Sequence, residues 1–337
     1  MKIVVDAFGG DNSPVAVVDG ALLALEKRKD IELVLTGDRA KLESLLNSKF
    51  ERIEIVDAPD VITNDDQPTL AIRQKKDSSL VRAFDLLKEQ DDIVGLVSAG
   101  NTGAVLTGAI LKIGRIKGIS RPALCAILPT LKEHGVMICD AGSNVDCKVE
   151  HLEHFAIMAS AYYSAYNNIE RPRIGLLNNG VEEHKGNELT KEAYHALKKL
   201  PINFVGNVEA REAMSGDVDV IVADGFDGNV LLKTTEGVAA GMSKMIKQEA
   251  KRNVFAMLGA LFMGKFKNIK KKMDIDRYGG APFLGCKKLV VKTHGSANKE
   301  NFCNTILQVA TLYERGLNQK IEELVGQISE TMEKTDD

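Results

Sequence analysis

The feature that most constrains the fold is the regular alternation of short apolar runs with longer helical patterns. Ten apolar, often β-branched runs predict mostly buried strands, at residues 3–5, 31–35, 53–56, 93–97, 123–128, 136–139, 174–177, 202–205, 218–223 and 289–292. Helical patterns lie between most of them, at 14–29, 70–90, 102–113, 152–167, 188–200 and 230–251. This alternation predicts an α/β fold, with a doubly wound, largely parallel sheet in an α/β/α sandwich.

Five of the predicted strands stop at a small-residue turn that carries glycine, asparagine or aspartate. The turns read VDAFGGD from Val5, SAGNT from Ser98, DAGSN from Asp140, NNG from Asn178 and ADGFDGN from Ala223. In a parallel sheet such turns lie side by side at the carboxyl edge, where ligands bind. Glycine lets the backbone approach a ligand closely, and free N–H groups at helix starts attract anions. The five turns together predict a site for phosphate or another oxyanion.

Composition limits the classes of protein to which the chain can belong. A formal net charge of −3 over 337 residues supplies no overall basic field, which argues against a general nucleic-acid binder. The chain opens directly on a strand without the pattern of a signal peptide, and no apolar run approaches the ~20 residues of a spanning helix. We therefore expect a cytoplasmic protein with one α/β domain over 1–330 and a frayed acidic tail at 331–337.

The polar residues at the strand ends indicate which chemistry the site performs. The motifs of P-loop hydrolases, dinucleotide-binding folds and serine hydrolases are absent, so no cofactor and no serine triad is expected. The remaining polar set is Asp6, Asp11, Ser98, Asn101, Thr102, Asp140, Asn144, Asn178, Asn179, Lys185, Asn187, Asp224, Asn229, Lys233, His294 and Ser296. It offers donors and fixed charges but no activated nucleophile, which fits an enzyme in which the bound anion attacks. Each Asn or Asp could equally be a turn former or a helix cap.

The five cysteines form no disulfide pattern and no CxxC pair. Cys147, His151 and His154 have the spacing of residues that share one face of a helix, so a metal site there is an alternative. The interpretation we favour is an ordinary helix surface, and no metal is expected.

Residues 253–273 form an amphipathic, basic segment. The apolar stripe consists of Val254, Leu258, Leu261, Phe262 and Phe266, and five lysines crowd its second half. A basic amphipathic helix of this kind suits an anionic membrane surface. The alternative is that the stripe packs against a second subunit or against the protein's own core.

Successive blocks along nearly the whole chain resemble one known family. They are VDAFGGD, SAGNTGA, DAGSNVDCK, NNGVEEHKGNELTKEAY, GNVEAREAMSGDVDVIVADGFDGNVLLKTTEG and HGSA. In number, order and spacing these blocks resemble those of the bacterial phosphate acyltransferase of phospholipid synthesis. Small departures from the family pattern are Phe8, where Met is usual, and Ala210 and Glu212, where Gly and Asp are expected.

The resemblance implies a fold, a reaction and partners. The fold would be similar to that of phosphotransacetylase and of the isocitrate and isopropylmalate dehydrogenases, with residues 253–273 protruding, and the protein would be a homodimer. The family moves a fatty acyl group from acyl carrier protein to inorganic phosphate, and a membrane glycerol-3-phosphate acyltransferase uses the acyl phosphate. The resemblance thus implies a cytoplasmic enzyme associated peripherally with the inner face of the cell membrane.

Resemblance and residue pattern together give the candidate site. Lys185, Asn229 and His294 are the predicted catalytic groups. Main-chain N–H groups at 100–103 and 142–144 are predicted to hold phosphate. The full set predicted to bind phosphate or substrate is Asp6, Gly9, Gly10, Asp11, Ser98, Gly100, Asn101, Thr102, Gly103, Asp140, Gly142, Ser143, Asn144, Asn179, Asn187, Asp224, Gly228, Lys233 and Ser296.

Several alternatives stay open at this point. The chain could be a phosphotransacetylase that uses short-chain acyl-coenzyme A, or a non-catalytic membrane scaffold for lipid-synthesis enzymes. The acidic carrier protein could dock on Arg73, Lys75 and Lys76 or on the lysines at 270–272, and the sequence does not choose between these two patches.

Overall fold

The computed structural model describes residues 1–47, 51–132, 134–252 and 278–333. The strands are β1 Lys2–Asp6, β2 Glu32–Gly37, β3 Ile53–Asp57, β4 Ile93–Ser98, β5 Ala123–Leu128, β6 Val136–Cys139, β7 Arg173–Asn178, β8 Asn203–Glu209, β9 Val220–Val222, β10 Ala281–Leu284 and β11 Leu289–Lys292. The helices are α1 Val15–Lys27, α2 Arg39–Leu46, α3 Pro68–Gln74, α4 Ser79–Glu89, α5 Thr102–Gly108, α6 Val149–Asn167, α7 Glu188–Leu197, α8 Gly225–Arg252, α9 Lys299–Glu314 and α10 Leu317–Glu333. A π-helical turn, Ala109–Ile113, continues α5.

The chain divides into two compact units. The first contains Met1–Cys125, Ile157–Glu170 and Asp276–Asp337, and the second contains Ala126–Ala156 and Arg171–Ile275. The predicted single domain over 1–330 stays a prediction, because a division by internal contacts does not say whether either unit folds alone.

The first unit is built on a mixed sheet in the order β3-β2-β1-β4-β11-β10-β5. The five strands from β3 to β11 are parallel, and β10 is antiparallel to both of its neighbours. Helices α3, α4 and α5 supply apolar side chains to a core that includes Phe84, Leu87, Leu96 and Val105, all fully buried. Parallel strands covered in this way are buried on both faces, which explains their continuous apolar runs.

The second unit is built on a parallel sheet in the order β6-β9-β7-β8. Its core includes Val136, Ile138 and Ile221 from the strands and Leu231 from α8. The fold class predicted from the alternation is confirmed, since each unit carries a mostly parallel sheet with helices packed on it.

All ten predicted strands are present, with ends shifted by at most a few residues. The strand that the sequence did not reveal is β10, which is four residues long, contains Pro282 and has no periodic pattern. The helix predicted at 70–90 is two helices, because the chain turns at 75–78 and Ser78 begins α4 by accepting a hydrogen bond from Val81 N at 3.4 Å. Across the described parts of the chain, every helix is too short or too polar to cross a lipid bilayer.

Candidate functional site

The predicted site residues fall into two clusters, one at the carboxyl edge of each sheet, and each cluster is described by itself. In the first unit β1, β4 and β11 are neighbours, so the residues that follow them come together. Asp6 ends β1 and is buried, and Ser98 at the end of β4 donates to Asp6 Oδ2 at 2.7 Å. The Ser98 hydroxyl in turn accepts from Gly100 N at 3.0 Å. Burial raises the pKa of the Asp6 carboxyl, and the hydrogen bond from Ser98 acts against this rise.

Two glycines bring the turn after β1 against its neighbours. A Cβ at Gly9 would lie 2.5 Å from Asp6 Oδ2 and 2.7 Å from Gly100 N, so no larger residue fits there. Gly10 has a φ of +97°, and a Cβ on it would lie 2.9 Å from Gly295 O. The next residue, Asp11, donates its N–H to the same Gly295 carbonyl at 2.7 Å. The β1 turn is therefore tied to the turn after β11.

The turn after β4 starts helix α5. The Asn101 side chain caps the helix by accepting from Ala104 N at 3.0 Å. The first N–H groups of a helix have no intrahelical acceptor, so Thr102 and Gly103 present theirs at this helix start. Thr102 is exposed and Gly103 is half-buried. These two N–H groups keep the predicted capacity to bind an anion.

The turn after β11 carries the predicted acid. His294 is exposed, and its Nδ1 lies 2.8 Å from Ser296 Oγ and accepts from Ser296 N at 3.3 Å. Ser296 is also exposed, so both side chains are open to a ligand. The bond at Nδ1 orients the ring and leaves Nε2 as the nitrogen available to a substrate.

In the second unit the cluster centres on Asp140, which follows β6 and is buried. Its carboxylate accepts from Gly142 N at 3.2 Å, from Ser143 N at 3.0 Å and from Asn144 N at 2.6 Å. Asn144 Nδ2 adds a further bond at 2.8 Å. A carboxylate followed by small residues folds into such a ring of converging N–H groups because Gly142 can adopt its φ of +138°. Asp140 thus already accepts from the N–H groups assigned to phosphate, and their phosphate role stays a prediction.

Helix α8 begins in contact with this ring. A Cβ at Gly225 would lie 2.7 Å from Asn144 N, and one at Gly228 would lie 2.0 Å from Asp140 O. Asn229, one residue later, is half-buried and lies against Gly142, whose Cβ would be 3.3 Å from its side chain. The predicted catalytic Asn229 and the Asp140 ring are therefore neighbours.

Two further predicted residues of α8 have simpler surroundings. Asp224 caps the helix, accepting from Asp227 N at 2.8 Å. Lys233 is exposed two turns into the helix.

The loop after β7 carries Lys185, whose side chain is exposed. Asn178 Nδ2 donates to Lys185 O at 3.2 Å, and its Oδ1 accepts from Asn179 N at 2.8 Å, so this side chain holds the loop. Asn187 caps α7, because its side-chain oxygen accepts a hydrogen bond from Thr190 N at 2.9 Å. Asparagine commonly has this role at the start of a helix. The hydrogen bonds of Asn178 therefore fix the loop from which the exposed side chains of Lys185 and Asn179 project.

Two residues have roles at the site that were not predicted: Asn178, which the sequence places only among the polar residues at the strand ends, and Gly225. The signal for Asn178 was its place before Asn179-Gly180, where an Asn folds its side chain onto the following backbone. Nothing local marked Gly225, because its need for glycine comes from Asn144, far away in the sequence.

The cysteines offer little nucleophilic capacity. Four are buried, and burial raises the pKa of Cys286 to about 12 and also raises that of Cys303. Cys147 is half-buried, with its Sγ 3.4 Å from Asn144 O. Among the described residues no three His, Cys, Asp or Glu side chains are grouped so as to hold a metal, which includes Cys147 with His151 and His154.

The predicted membrane residues Val254, Leu258, Leu261, Phe262 and Phe266 lie outside the described residues. Their role stays a prediction, as does that of the lysines at 270–272.

Comparison with solved structures gives the fold family. A phosphotransacetylase from Streptococcus pyogenes superposes with a TM-score of 0.60, covering 96% of this chain and 94% of that one at 17% identity. A putative 4-hydroxythreonine-4-phosphate dehydrogenase from Salmonella typhimurium gives 0.54, covering 93% and 99% at 14% identity. The predicted likeness of the fold to phosphotransacetylases and dehydrogenases is confirmed.

Comparison of sequences gives the class of protein. The family model described as "Fatty acid synthesis protein" matches residues 1–320, and the chain belongs to that family. Within it, a phosphate acyltransferase from Clostridium acetobutylicum is 47% identical over 98% of this chain and all of its own length. The chain is therefore a member of the phosphate acyltransferases, as the resemblance of its motifs predicts.

Proposed function

We propose that this phosphate acyltransferase takes its acyl group from long-chain acyl–acyl carrier protein and transfers it to inorganic phosphate. The names of its relatives supply the phosphate acceptor and the acyl group. The description of the family adds fatty acid synthesis, in which growing acyl chains are thioesters of the carrier protein. The product would feed a membrane glycerol-3-phosphate acyltransferase and so phospholipid synthesis.

The observation that carries the mechanism is that hydrogen-bond donors are abundant at the strand ends, whereas four of the five cysteine thiols are buried. The Cys286 thiol is protonated at neutral pH, because a thiol with a pKa of about 12 is almost never ionised, and burial also raises the pKa of Cys303. Ser98 is held by Asp6, with no histidine base in that bond. A phosphate oxygen then attacks the thioester carbonyl directly, and no acyl-enzyme forms.

The proposed roles follow from the chemistry of each side chain. Asn229 and the exposed Lys185 are donors for the tetrahedral oxyanion, a contribution of roughly 3–4 kcal/mol for each well-placed donor. His294 protonates the departing thiolate, whose ordinary pKa of about 8.5 makes it a good leaving group. N–H groups at Thr102 and Gly103 hold phosphate in the first unit. Positioning phosphate beside the thioester is worth ~7–11 kcal/mol.

We also propose that the protein is a homodimer that binds the membrane through 253–273. Helix α8 supports the dimer, because it exposes a row of apolar side chains: Phe226, Val230, Val238, Met242, Met245 and Ile246. Beside this row none of the described residues lies within 4 Å of a Cβ placed on Gly237 or Gly241, so another helix could approach closely.

The dimer is tested by light scattering at low micromolar concentration. Met245→Glu places a charge on the exposed row and is expected to shift the protein toward monomer. The matched control is Leu131→Glu. Leu131 lies outside α8 and is 78% exposed, and Met245 in α8 is 66% exposed, so both substitutions place a charge on an exposed apolar side chain. An unchanged mass for Met245→Glu would remove α8 from the interface.

The proposed reaction is tested with palmitoyl–acyl carrier protein, palmitoyl-coenzyme A and acetyl-coenzyme A, by trapping acyl phosphate with hydroxylamine. Acyl phosphate from the carrier protein supports the proposal. If acetyl-coenzyme A were the sole active donor, the protein would be a phosphotransacetylase. If no donor gave acyl phosphate, the non-catalytic scaffold would be the remaining alternative. When phosphate is omitted, we expect no release of thiol from the thioester. Release of one equivalent of thiol per enzyme without phosphate would reveal an acyl-enzyme.

A further inference from the structure

An open cavity of ≈ 730 Å³ lies in the first unit, beside α3, α4 and the π-helical turn that continues α5. Its charged lining residues are Arg73, Lys76, Asp77, Arg82, Asp85 and Lys112, and we call these six residues with the space they enclose the basic cavity. Four cations and two carboxylates leave it an excess of positive charge. On a chain whose net charge is −3, this excess is local.

The ion pairs within the basic cavity show which cations are committed. Arg82 pairs with Asp77 at 2.8 Å, and Lys112 pairs with Asp85 at 2.6 Å. Arg73 and Lys76 are exposed, and neither has an ion-pair partner in the described part of the chain. The excess charge therefore resides on these two side chains.

Lys75, which lies between them in sequence, is committed elsewhere. Its Nζ donates to Asp66 Oδ2 at 2.8 Å and to Val61 O at 2.9 Å. The hydrogen bond with Asp66 raises the pKa of Lys75 and lowers that of Asp66. Of the three cations that the sequence offered, Lys75 fixes the preceding loop and the other two face outward.

Apolar surface accompanies the two free cations. Leu111 lines the basic cavity and is 50% exposed, and its neighbour Ile110 is 39% exposed. A partner that fits must therefore combine carboxylates with apolar side chains. A small free anion would pair with the cations but would leave the apolar side chain of Leu111 uncovered.

The position of the basic cavity along α5 sets a length. Leu111 lies nine residues after Thr102, across α5 and the π-helical turn that continues it. At a rise of no more than about 1.5 Å per residue, the two are at most ~14 Å apart along the axis. The prosthetic arm of a carrier protein has about fifteen linear atoms, as many as five extended residues, and reaches roughly 17 Å. An arm that starts at the basic cavity can thus bring its thioester to the N–H groups of Thr102 and Gly103.

We propose that the basic cavity is the docking surface for the acidic acyl carrier protein. Carboxylates of the carrier protein pair with Arg73 and Lys76, its apolar side chains cover Leu111, and its arm runs along α5 toward Thr102. The inference rests on the proposed function and extends it by assigning the surface that recognises the donor. Opposite charges at such a surface act mainly on the association rate.

The test compares two thioesters that share an acyl group, palmitoyl–acyl carrier protein and palmitoyl-pantetheine. The variant is Arg73→Glu with Lys76→Glu. We expect the ratio of kcat/KM for the carrier protein to that for the small thioester to fall about tenfold or more, through KM. The matched control is Lys29→Glu with Lys320→Glu, which reverses two exposed charges elsewhere in the first unit and should leave the ratio unchanged.

A salt titration gives a second readout. Wild-type kcat/KM for the carrier protein should fall with added salt, and the double variant should lose most of that dependence. An unchanged ratio, or an equal loss with both thioesters, overturns the docking surface. A wild-type enzyme that is inactive with the carrier protein but active with palmitoyl-pantetheine overturns the proposed donor instead.

Discussion

The tight packing of Gly228 against the main chain of Asp140, in the second cluster, gives the sharpest prediction. A Cβ on Gly228 would lie 2.0 Å from Asp140 O, whereas ordinary contact begins near 3.4 Å. Gly228→Ala therefore forces the start of α8 and the Asp140 ring apart by about 1.4 Å. A carbonyl oxygen of the main chain cannot rotate away as the end of a flexible side chain would.

Two effects set the size of the change. Overpacking of this kind costs up to about 3 kcal/mol, and replacing glycine by alanine in a helix returns at most about 1 kcal/mol. The free energy of unfolding should therefore fall by about 2 kcal/mol. Since Asn229 follows directly, a displacement larger than 1 Å should also lower kcat by about 10²-fold.

The assay measures kcat with palmitoyl thioester and phosphate, and the free energy of unfolding in urea. The control is Gly326→Ala in α10, where no atom of the part of the chain that the structure describes lies within 4 Å of the added Cβ. That variant should gain about 1 kcal/mol and keep its turnover. If Gly228→Ala matched the control in both quantities, the steric reasoning about the Asp140 ring would be wrong.

Three other predictions can be checked with the same assays. Because burial raises the pKa of Asp6 above 3.8, the stability that this carboxyl contributes is lost as pH rises from about 3.8 through its folded-state pKa. Asp6→Asn lacks this loss, so the urea midpoint of the variant should improve relative to wild type as pH rises through that range. Lys185→Ala and Asn229→Ala should each lower turnover by ~10²-fold with unchanged urea midpoints, and unchanged turnover in both would exclude them from the mechanism. Leu258→Glu with Phe262→Glu should abolish binding to anionic vesicles while turnover in solution persists, and retained binding would exclude this anchor.

The sequence was most informative where structure depends on local pattern. Mostly buried strands read as continuous apolar runs, and for that reason β5, β6 and β11 were predicted to the residue. The strand β10 escaped because its position depends on pairing with β5 and β11, which no four-residue pattern reveals. The break at 75–78 had a local signal in Ser78, a residue type that commonly begins helices.

The sequence was sufficient to predict that the site lies at the carboxyl edge of the sheet and which residue types form it. The hydrogen bonds within the site were less predictable. The sequence placed Asp6, Ser98 and Asp140 at strand ends, and the structure puts them there. It could not tell that the N–H groups of 142–144 point at Asp140, because an external anion and a carboxylate of the chain itself satisfy the same donors. Which of two acceptors wins depends on three-dimensional distance, and the order of residues does not contain it.

The contacts at the start of α8 also bear on how the enzyme can be re-engineered. Gly225 and Gly228 have no space for a single methyl group, yet Phe226 and Asp227 between them are exposed. Substitutions that leave the Asp140 ring in place are therefore expected at the exposed pair and not at the two glycines.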